Sequence, residues 1–471
     1  MTLTGLAFIF HFLPIFLVVY YVTPAKYRNV VLFIGSLAFY ALGNPYHLIL
    51  LMVSVLLNYL ASHRIYINNH NTENKSAKSF SRIWLILALV YNIGLLVVFK
   101  YFAFAVSLIK DISGIELPVY ELSFPLGLSF FTFQMMSFVI DVYREGYEQK
   151  IGIFHFAVYA TMFPQIASGP ITRYSDIREV IEKPQGTTAR MLEHGVTMFA
   201  LGLSYKILLA DKIAALWTDV WRVGPEGMDV ATAWLGAFAY SMQIYFDFYG
   251  YTLMATGVAM MLGFTLPENF RNPYITKSMT SFWRKWHMTL GRWFTDYLYI
   301  PLGGNRCSKG QMVFNLFVVW MCTAIWHGAS LNFVIWGLFL FAVITIEKLW
   351  TFKWLEKTYV FGHIYMIILI PISWLIFGIS NLDILGKYML RMIGVPIEGL
   401  VARGLDKFLS LMSTYWWMIA LGLLFCTPYP MRFIEKHRKN YFMKLIILVA
   451  FWYSVYQVAI SGYNPFIYFG F

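Results

Sequence analysis

Long apolar runs separated by short polar loops make up most of the chain. They extend over residues 6–22, 30–42, 46–61, 83–99, 125–142, 195–209, 231–263, 312–326, 331–347, 363–379, 411–427 and 445–461. A helix needs about 20 apolar residues to cross a bilayer, so the shorter runs predict re-entrant or buried helices that neighbouring helices shield from lipid. The run 231–263 predicts two elements. The pattern predicts an all-α, polytopic membrane protein with roughly 11–13 transmembrane or re-entrant helices in one membrane domain, residues 1–471.

Composition agrees with this pattern and excludes an ordinary soluble domain. Hydrophobic residues make up 59% of the chain and charged residues 13%, and the mean hydropathy is +0.61. A soluble domain is about half apolar and a quarter charged. The net charge of +12 would suggest nucleic acid binding in a soluble protein. Here Lys and Arg lie in short loops, as expected for cytoplasmic loops beside anionic lipid, and we expect a lipid bilayer and no nucleic acid as partner.

The positions of the basic loops predict an orientation. Basic residues at 26–28 and at 64–82 are separated by two apolar runs, which predicts that both loops are cytoplasmic and that the N-terminus is outside. The basic stretch 432–444 also predicts a cytoplasmic loop, which leaves the C-terminus outside. The first run has no preceding basic residue and no following cleavage pattern, so we expect a retained helix.

Residues 266–310 form the most informative segment between spans, and we expect it on the cytoplasmic side. Between positions 264 and 311 the sequence contains seven Lys and Arg residues and two acidic residues, and aromatic residues lie among these charges. Ser281 is predicted to cap a helix that begins at Phe282. One interpretation is an amphipathic interfacial helix. The other is a docking surface for an anionic acyl donor, such as coenzyme A or a phosphopantetheine carrier.

The segment AIWHGASLNF, residues 324–333, places His327 between two apolar runs. A helix that starts near Met312 reaches His327 after about 15 residues, or ~22 Å, short of a ~30 Å hydrocarbon core. The sequence therefore predicts an imidazole inside the membrane, at the end of a broken helix. Such a group is a functional candidate, and it can accept a proton from a hydroxyl, as acyl transfer to an alcohol requires. The alternative is a neutral histidine hydrogen-bonded between helices.

Other polar side chains also occur in apolar runs. Hydrogen bonds between helices explain the amides most simply: Asn58, Asn92 and Gln134. Lys206 and Asp211 are predicted to extend to the membrane interface. Asp247 is a candidate partner of a neighbouring tyrosine or tryptophan. The chain has no metal-spaced His/Cys cluster, no Gly-rich phosphate loop and no GxSxG elbow, so we expect no metal site.

Several segments together resemble the membrane-bound O-acyltransferase (MBOAT) family, and within it the branch of the alginate O-acetyltransferase membrane subunits. The similarity lies in PLGLSFFTFQMMSFVIDVYR (125–144), MFPQIASGPITRY (162–174), IYFDFYGY (244–251), LGFTLPENFRNPY (262–274), SFWRKWHMTLGRWFTDYLYIPLGGNR (281–306), IWHGASLNFVIWG (325–337) and YNPFIYFGF (463–471). The resemblance implies an MBOAT fold, in which helices surround a central funnel that opens to both faces near the catalytic histidine.

The resemblance also implies site residues. His327 matches the catalytic histidine of the WHG motif, and His287 matches the second histidine, in RKWH. Four further residues are candidates for a supporting role: Asp211, Arg306, Asp247 and Asn332. In IYFDFYGY, Tyr249 replaces the serine of the usual FDFSGY form.

By similarity, such proteins pass an acyl group from a cytoplasmic donor across the bacterial cytoplasmic (inner) membrane. We expect acetyl-CoA or another acyl thioester as donor, and no bound cofactor. The expected partners are an extracytoplasmic serine-type acetyltransferase and a polysaccharide acceptor. One alternative is D-alanyl transfer to teichoic acid from a carrier protein. The alternative from another class is a transporter or scaffold that uses His327 in a proton relay.

Overall fold

A computed structural model describes residues 1–71, 76–115, 122–145, 150–166, 169–184, 186–396 and 405–461. All regular secondary structure within these ranges is helical. The C-terminal motif 463–471 and positions 116–121 of the loop before α5 lie outside the described residues, so the inference drawn from that motif stays a prediction.

The chain divides into two compact units. The first comprises Met1–Phe199 and Met254–Pro267, and the second comprises Ala200–Leu253 and Glu268–Phe471. The single membrane domain over residues 1–471 stays a prediction, as do the central funnel and the count of re-entrant helices, which are defined relative to a bilayer.

The first unit contains eight complete helices among its described residues, with a π-helical turn at Phe8–Phe12. They are α1 (Leu13–Val22), α2 (Arg28–Ala41), α3 (Pro45–His70), α4 (Ala77–Ser113), α5 (Leu128–Glu145), α6 (Ile153–Thr161), α7 (Phe163–Ile166) and α8 (Tyr174–Glu182). Helices α3, α4 and α5 pack against one another.

The buried amides of the first unit form hydrogen bonds between helices, as the sequence predicts. The Asn92 Nδ2 donates to Asn58 Oδ1 at 2.7 Å, and Asn58 Nδ2 donates in return to Asn92 Oδ1 at 3.3 Å. Gln134 Nε2 donates to Gln165 Oε1 at 2.8 Å. These bonds link α3 to α4 and α5 to α7, which confirms the prediction of hydrogen bonds between helices.

The boundary between the units falls within α9 (Ala189–Ser204) and α11 (Val230–Met261). The remaining helices belong to the second unit: α10 (Asp211–Gly227), α12 (Met279–Trp283), α13 (Met288–Phe294), α14 (Lys309–His327), α15 (Leu331–Ile346), α16 (Phe352–Lys357), α17 (Val360–Gly378), α18 (Leu382–Met392), α19 (Asp406–Phe425), α20 (Tyr429–His437) and α21 (Tyr441–Ser461). This unit contains three π-helical turns: Tyr205–Ala210 between α9 and α10, Thr295–Tyr299 directly after α13, and Glu347–Thr351 between α15 and α16.

Six helices among the described residues are long and apolar enough to cross a bilayer. They lie at Pro45–His70, Ala77–Ser107, Leu331–Lys357, Val360–Gly378, Asp406–Phe425 and Tyr441–Ser461. The protein is therefore a multi-pass membrane protein, as predicted. Its orientation in the membrane stays a prediction.

Three local expectations need correction. The run 231–263 forms one helix, α11, up to Met261, because this part contains no proline and its glycines keep helical backbone angles, whereas Gly263 has a φ of 92° beyond the helix end. The cap of α12 is Ser278, whose Oγ accepts from the Ser281 backbone N–H at 3.2 Å, so the helix begins three residues before Phe282. Residues 266–310 are therefore a series of short helices and turns and not one amphipathic helix.

Helix α14 is also longer than expected, because Ser308 caps it and it begins at Lys309. Its 19 residues span about 28 Å at 1.5 Å per residue, close to the ~30 Å core. Helix length alone therefore does not place His327 within the membrane. Burial of its side chain is the stronger observation.

Candidate active site

His327 is the last residue of α14 and its side chain is 4% exposed. The backbone of Gly328 is extended, and a Cβ there would lie 2.8 Å from the Phe333 ring. Glycine thus lets the chain turn into α15 while the Phe333 ring stacks on His327, with ring centroids 5.9 Å apart. This explains why small residues follow the histidine in IWHGAS.

Rings from α15 and α17 enclose the imidazole on its other sides. Trp336 and Phe377 meet it edge to face, with centroids 5.2 and 4.9 Å away. Trp336 is fixed by its Nε1, which donates to Ser373 Oγ at 3.1 Å. Asn332 Nδ2 donates to the Phe377 carbonyl at 2.6 Å and so ties α15 to the end of α17.

Asn332 also leaves one acceptor unused. Its side chain is 2% exposed, and its Oδ1 is buried without a hydrogen-bond partner among the described residues. Buried polar atoms normally find a partner. An unsatisfied acceptor next to Phe333 and one turn from Trp336 is consistent with the supporting role that the sequence suggested.

His287 lies just before α13 with left-handed backbone angles, φ 43° and ψ 53°, a conformation in which histidine is enriched and which often occurs at functional sites. Its Nδ1 is 3.0 Å from Asn269 Oδ1, and the same oxygen accepts from the Thr289 backbone N–H. Because that oxygen is an acceptor, Nδ1 carries the proton and Nε2 has a free lone pair. Burial lowers the pKa of His287 to about 3, so the ring is neutral at physiological pH.

The free Nε2 of His287 is buried without a partner among the described residues, and the residue lines a cavity of about 410 Å³. Its described lining includes three cations, Arg284, Arg292 and Lys348, and no carboxylate. We call this the basic cavity. Lys348 Nζ lies 3.3 Å from Tyr299 Oη, at the wall of the same cavity. Two of the basic residues of segment 266–310, Arg284 and Arg292, thus line a defined cavity.

Aromatic side chains connect the basic cavity with His327. Trp283 and Trp320 line the cavity and contact Trp336 at 5.5 and 6.0 Å between centroids. Trp336 in turn contacts His327. A second series leads from His287 through four rings to His327: Phe248, Trp286, Trp374 and Phe377. The two histidines thus belong to one continuous aromatic cluster of the second unit.

Two carboxylates fix the wall of the basic cavity that α12 forms. Glu347 is fully buried and accepts from the backbone N–H groups of Met279 and Thr280, both at 2.7 Å, and from Thr280 Oγ at 2.6 Å. Glu356 Oε1 accepts from the hydroxyls of Ser278 and Ser281 at 2.6 Å. A carboxylate is well suited to the free N–H groups at a helix start. Sequence reasoning missed both residues, although Glu347 ends an apolar run.

Asp247 and Asp211 share one buried cation. Lys206 Nζ lies 2.6 Å from Asp247 Oδ1 and 2.7 Å from Asp211 Oδ1, and the Lys206 side chain is 2% exposed. The prediction that Lys206 extends to the interface is therefore wrong, whereas a tyrosine or tryptophan as a partner of Asp247 stays a prediction. The physical reason is the π-helical turn at Tyr205–Ala210, which directs Lys206 towards α11. At that crossing Gly250 permits the close approach, since a Cβ there would lie 2.7 Å from the Gly202 carbonyl.

The other predicted site residues lie elsewhere. Arg306 is exposed and is not among the residues that line the basic cavity. Tyr249, in place of the usual serine, stacks on Tyr245 with centroids 5.6 Å apart and meets Tyr205 edge to face. In the part of the chain that the structure describes, His, Cys, Asp and Glu side chains form no group of three that could hold a metal ion.

Comparison with known proteins decides the family. The sequence profile of the membrane-bound O-acyltransferase family matches residues 36–382. The chain belongs to this family. It is a membrane O-acyltransferase, and the predictions of the family, the all-α membrane fold and acyltransferase activity are confirmed. The transporter or scaffold alternative is thereby set aside.

Three relatives indicate the range of acceptors in the family. The chain is 36% identical to a probable alginate O-acetylase of Pseudomonas aeruginosa, over 82% of this chain and 73% of that protein. It is 30% identical to a peptidoglycan O-acetyltransferase of Helicobacter pylori, over 89% and 85%. A teichoic acid D-alanyltransferase of Bacillus subtilis is also 30% identical, but over 51% of this chain and 62% of its own length. The two acetyl-transferring relatives match much more of the chain, which favours O-acetyl over D-alanyl transfer.

Proposed function

We propose that this O-acetyltransferase takes an acetyl group from a cytoplasmic thioester and delivers it to a polysaccharide hydroxyl outside the cytoplasmic membrane of a bacterium. The acceptor is a cell-surface polymer, reached directly or through an exported serine-type acetyltransferase. The names of the two acetyl-transferring relatives, alginate and peptidoglycan, support a polysaccharide of this kind.

The basic cavity is the proposed donor site. Its three cations suit the phosphates of coenzyme A, and its tryptophans suit the less polar pantetheine arm. The free Nε2 of His287 can accept a hydrogen bond from an N–H or O–H group of the acyl donor, since the ring is neutral and Asn269 fixes its other nitrogen. His287 is therefore proposed to orient the donor.

His327 is the proposed general base. Its imidazole takes the proton of the acceptor hydroxyl while the hydroxyl oxygen attacks the thioester carbonyl. The tetrahedral intermediate then collapses, the C–S bond breaks, and the thiolate leaving group receives the proton from the imidazolium. The unused Oδ1 of Asn332 is an acceptor that can orient the incoming hydroxyl.

The single observation that carries this proposal is the position of His327 at the inner end of the aromatic cluster whose outer members line a cationic cavity. A purely structural histidine needs neither the cavity nor the unsatisfied acceptors at Asn332 and His287.

Replacement of His327 by alanine tests the proposal. Membrane vesicles that contain the variant should lose transfer of radiolabelled acetyl groups from acetyl-CoA to polymer by about 10²–10⁴-fold, the usual contribution of a general base. His363→Ala is the matched control, because His363 lies in α17 of the same unit, packs against Tyr359 and is half-buried. The amounts of the two variants in the membrane should be equal. Unchanged label transfer by His327→Ala under that condition would refute the role of His327 as general base.

The donor is tested in the same vesicles. Acetyl-CoA and a D-alanyl carrier protein are supplied separately, and label should reach the polymer from acetyl-CoA. If label reached the polymer from the carrier protein alone, the transferred group would be D-alanyl and not acetyl.

A further inference from the structure

A second cavity in the second unit is not explained by acyl transfer. It measures about 770 Å³ and lies between the end of α9 with its π-helical turn and helices α19, α20 and α21. We call it the α19–α21 groove. Its walls are almost entirely apolar, with Leu209, Leu421, Phe425 and Ile447 among them, and Lys212 is the one charged residue of its described lining. A cavity of about 300–1,000 Å³ with such walls is typical of a ligand site.

The floor of the groove is fixed by specific contacts. Lys212 Nζ donates to Gln457 Oε1 at 2.9 Å, and Ser454 Oγ lies 3.5 Å from Ser204 Oγ, so α21 is held to α9 and α10. On α19, Gly422 permits close packing, since a Cβ there would lie 2.8 Å from Met242 Sδ. The groove is therefore a preformed feature and not a gap between loosely packed helices.

The open side of the groove is formed by two helices that are long and apolar enough to cross a bilayer. Helices α19 and α21 both qualify as membrane spans, and they are among the least buried of the six. Leu421, Leu424 and Ile446 line the groove and are 39–48% exposed. Apolar side chains of a spanning helix that protein does not cover contact acyl chains. The apolar part of the occupant is therefore an acyl chain.

The charge beside the groove indicates which lipid it is. Helix α20 turns Phe433 and Ile434 towards the groove, while Arg432 and Lys436 are exposed four residues apart on the same helix. This is the pattern of an interfacial helix that binds anionic lipid through its basic face. Glu435 is also exposed on this helix, and Lys212 lies at the floor of the groove, so the net charge of these four side chains is positive. A zwitterionic headgroup gains little net attraction from such a cluster, whereas an anionic phosphodiester gains from each cation.

We infer that the α19–α21 groove binds one anionic phospholipid, with an acyl chain between α19 and α21 and its phosphate beside Arg432 and Lys436. This lipid is separate from the acyl donor and the polysaccharide acceptor, because the groove shares no lining residue with the basic cavity. The inference does not depend on the proposed reaction.

The test measures which lipid stays with the full-length protein. The protein is reconstituted in vesicles of equal parts phosphatidylglycerol and phosphatidylcholine, extracted in mild detergent, and its retained lipid is measured by mass spectrometry. Each cation beside an anionic headgroup contributes roughly a fivefold preference. We expect the wild type to retain phosphatidylglycerol preferentially, and the variant with Arg432→Gln and Lys436→Gln to lose up to about 25-fold of that preference.

Two further variants separate the groove from general surface charge. Ala450 lines the groove, so Ala450→Trp should fill it and reduce retention of both lipids in protein that stays monodisperse. The matched control, Lys78→Gln with Arg82→Gln, removes two exposed cations four residues apart in α4 and should behave as wild type.

Three outcomes would overturn the inference. They are retention of the two lipids in the ratio supplied, an equal loss of preference in the Lys78/Arg82 control, and a dimer with no retained lipid. The last result would assign the groove to a second copy of the chain.

Discussion

Replacing the buried Glu347 should weaken both the fold and the basic cavity. At the start of α12 its carboxylate accepts three hydrogen bonds, two from backbone N–H groups and one from the Thr280 hydroxyl. Helix α12 then leads directly into Trp283, Arg284 and His287, which line the basic cavity. Loss of the carboxylate should therefore shift the cavity wall.

The size of the effect follows from those three bonds. A donor left unsatisfied in a buried site costs about 1–3 kcal/mol. Glu347→Ala removes all three acceptor contacts, so we expect a loss of about 3–6 kcal/mol, allowing for relaxation and non-additivity. Glu347→Gln retains one oxygen and turns an amide N–H towards at least one backbone N–H, so we expect about 2–3 kcal/mol.

Thermal unfolding of the purified protein in detergent measures this loss. At about 2.1 cal/mol/K of unfolding entropy per residue, 1 kcal/mol corresponds to about 1 °C in Tm for a chain of 471 residues, so Glu347→Gln should lower Tm by about 2–3 °C. At a temperature where the variant is folded, acetyl transfer should show a raised KM for acetyl-CoA. Glu226→Gln is the control, because that side chain is 46% exposed and pairs with Lys387 at 3.7 Å. A Tm and a KM like wild type for Glu347→Gln would refute the reasoning.

Two further predictions concern buried charges. Asn269→Asp places a carboxylate beside His287 Nδ1 and should raise the pKa of that ring from about 3. The activity of the variant should therefore fall as the pH drops through the new pKa, where the wild type shows no such fall. Profiles of rate against pH for both proteins check this. Lys206→Met leaves the carboxylates of Asp247 and Asp211 without their shared cation and should cost about 3–5 kcal/mol by thermal unfolding. The double variant with Asp247→Asn should recover part of that loss, and strictly additive effects would contradict the pairing.

The depressed pKa of His287 also makes stability depend on pH. The unfolded chain binds a proton near the ordinary value of 6.5 and the folded chain does not do so until about 3. The contribution of the neutral, buried His287 side chain to the free energy of unfolding is therefore fully present above about pH 6.5 and is lost as the pH falls towards 3.

Hydrophobic pattern alone predicted the class of fold and most of the spans. Hydrogen bonds between helices were also predictable at Asn58, Asn92 and Gln134, because these amides stand out in apolar runs, but their partners were not. His327 stood out for the same reason. In each case the signal is a polar residue that lipid would not tolerate, and it is local in the sequence.

Interactions between distant segments were not predictable in this way. The pairing of Lys206 with Asp247 depends on a π-helical turn, which has no clear pattern in one sequence. The bonds from Glu347 to Thr280 join segments 67 residues apart. The exposed Lys309 looked like part of a loop, and the Ser308 cap that starts α14 was overlooked. Neither the residues that hold the cavity wall in place nor the partner of His287 could be identified from the sequence.

His327 is proposed to act as the general base for acetyl transfer from the cytoplasmic side of the membrane to the outside. Proteoliposomes with acetyl-CoA outside and acceptor polysaccharide enclosed, together with the exported acetyltransferase if one is needed, measure this directly. Labelled polymer should form inside the vesicles with wild type and His363→Ala, and none should form with His327→Ala. Labelled polymer at the wild-type rate with His327→Ala would contradict it.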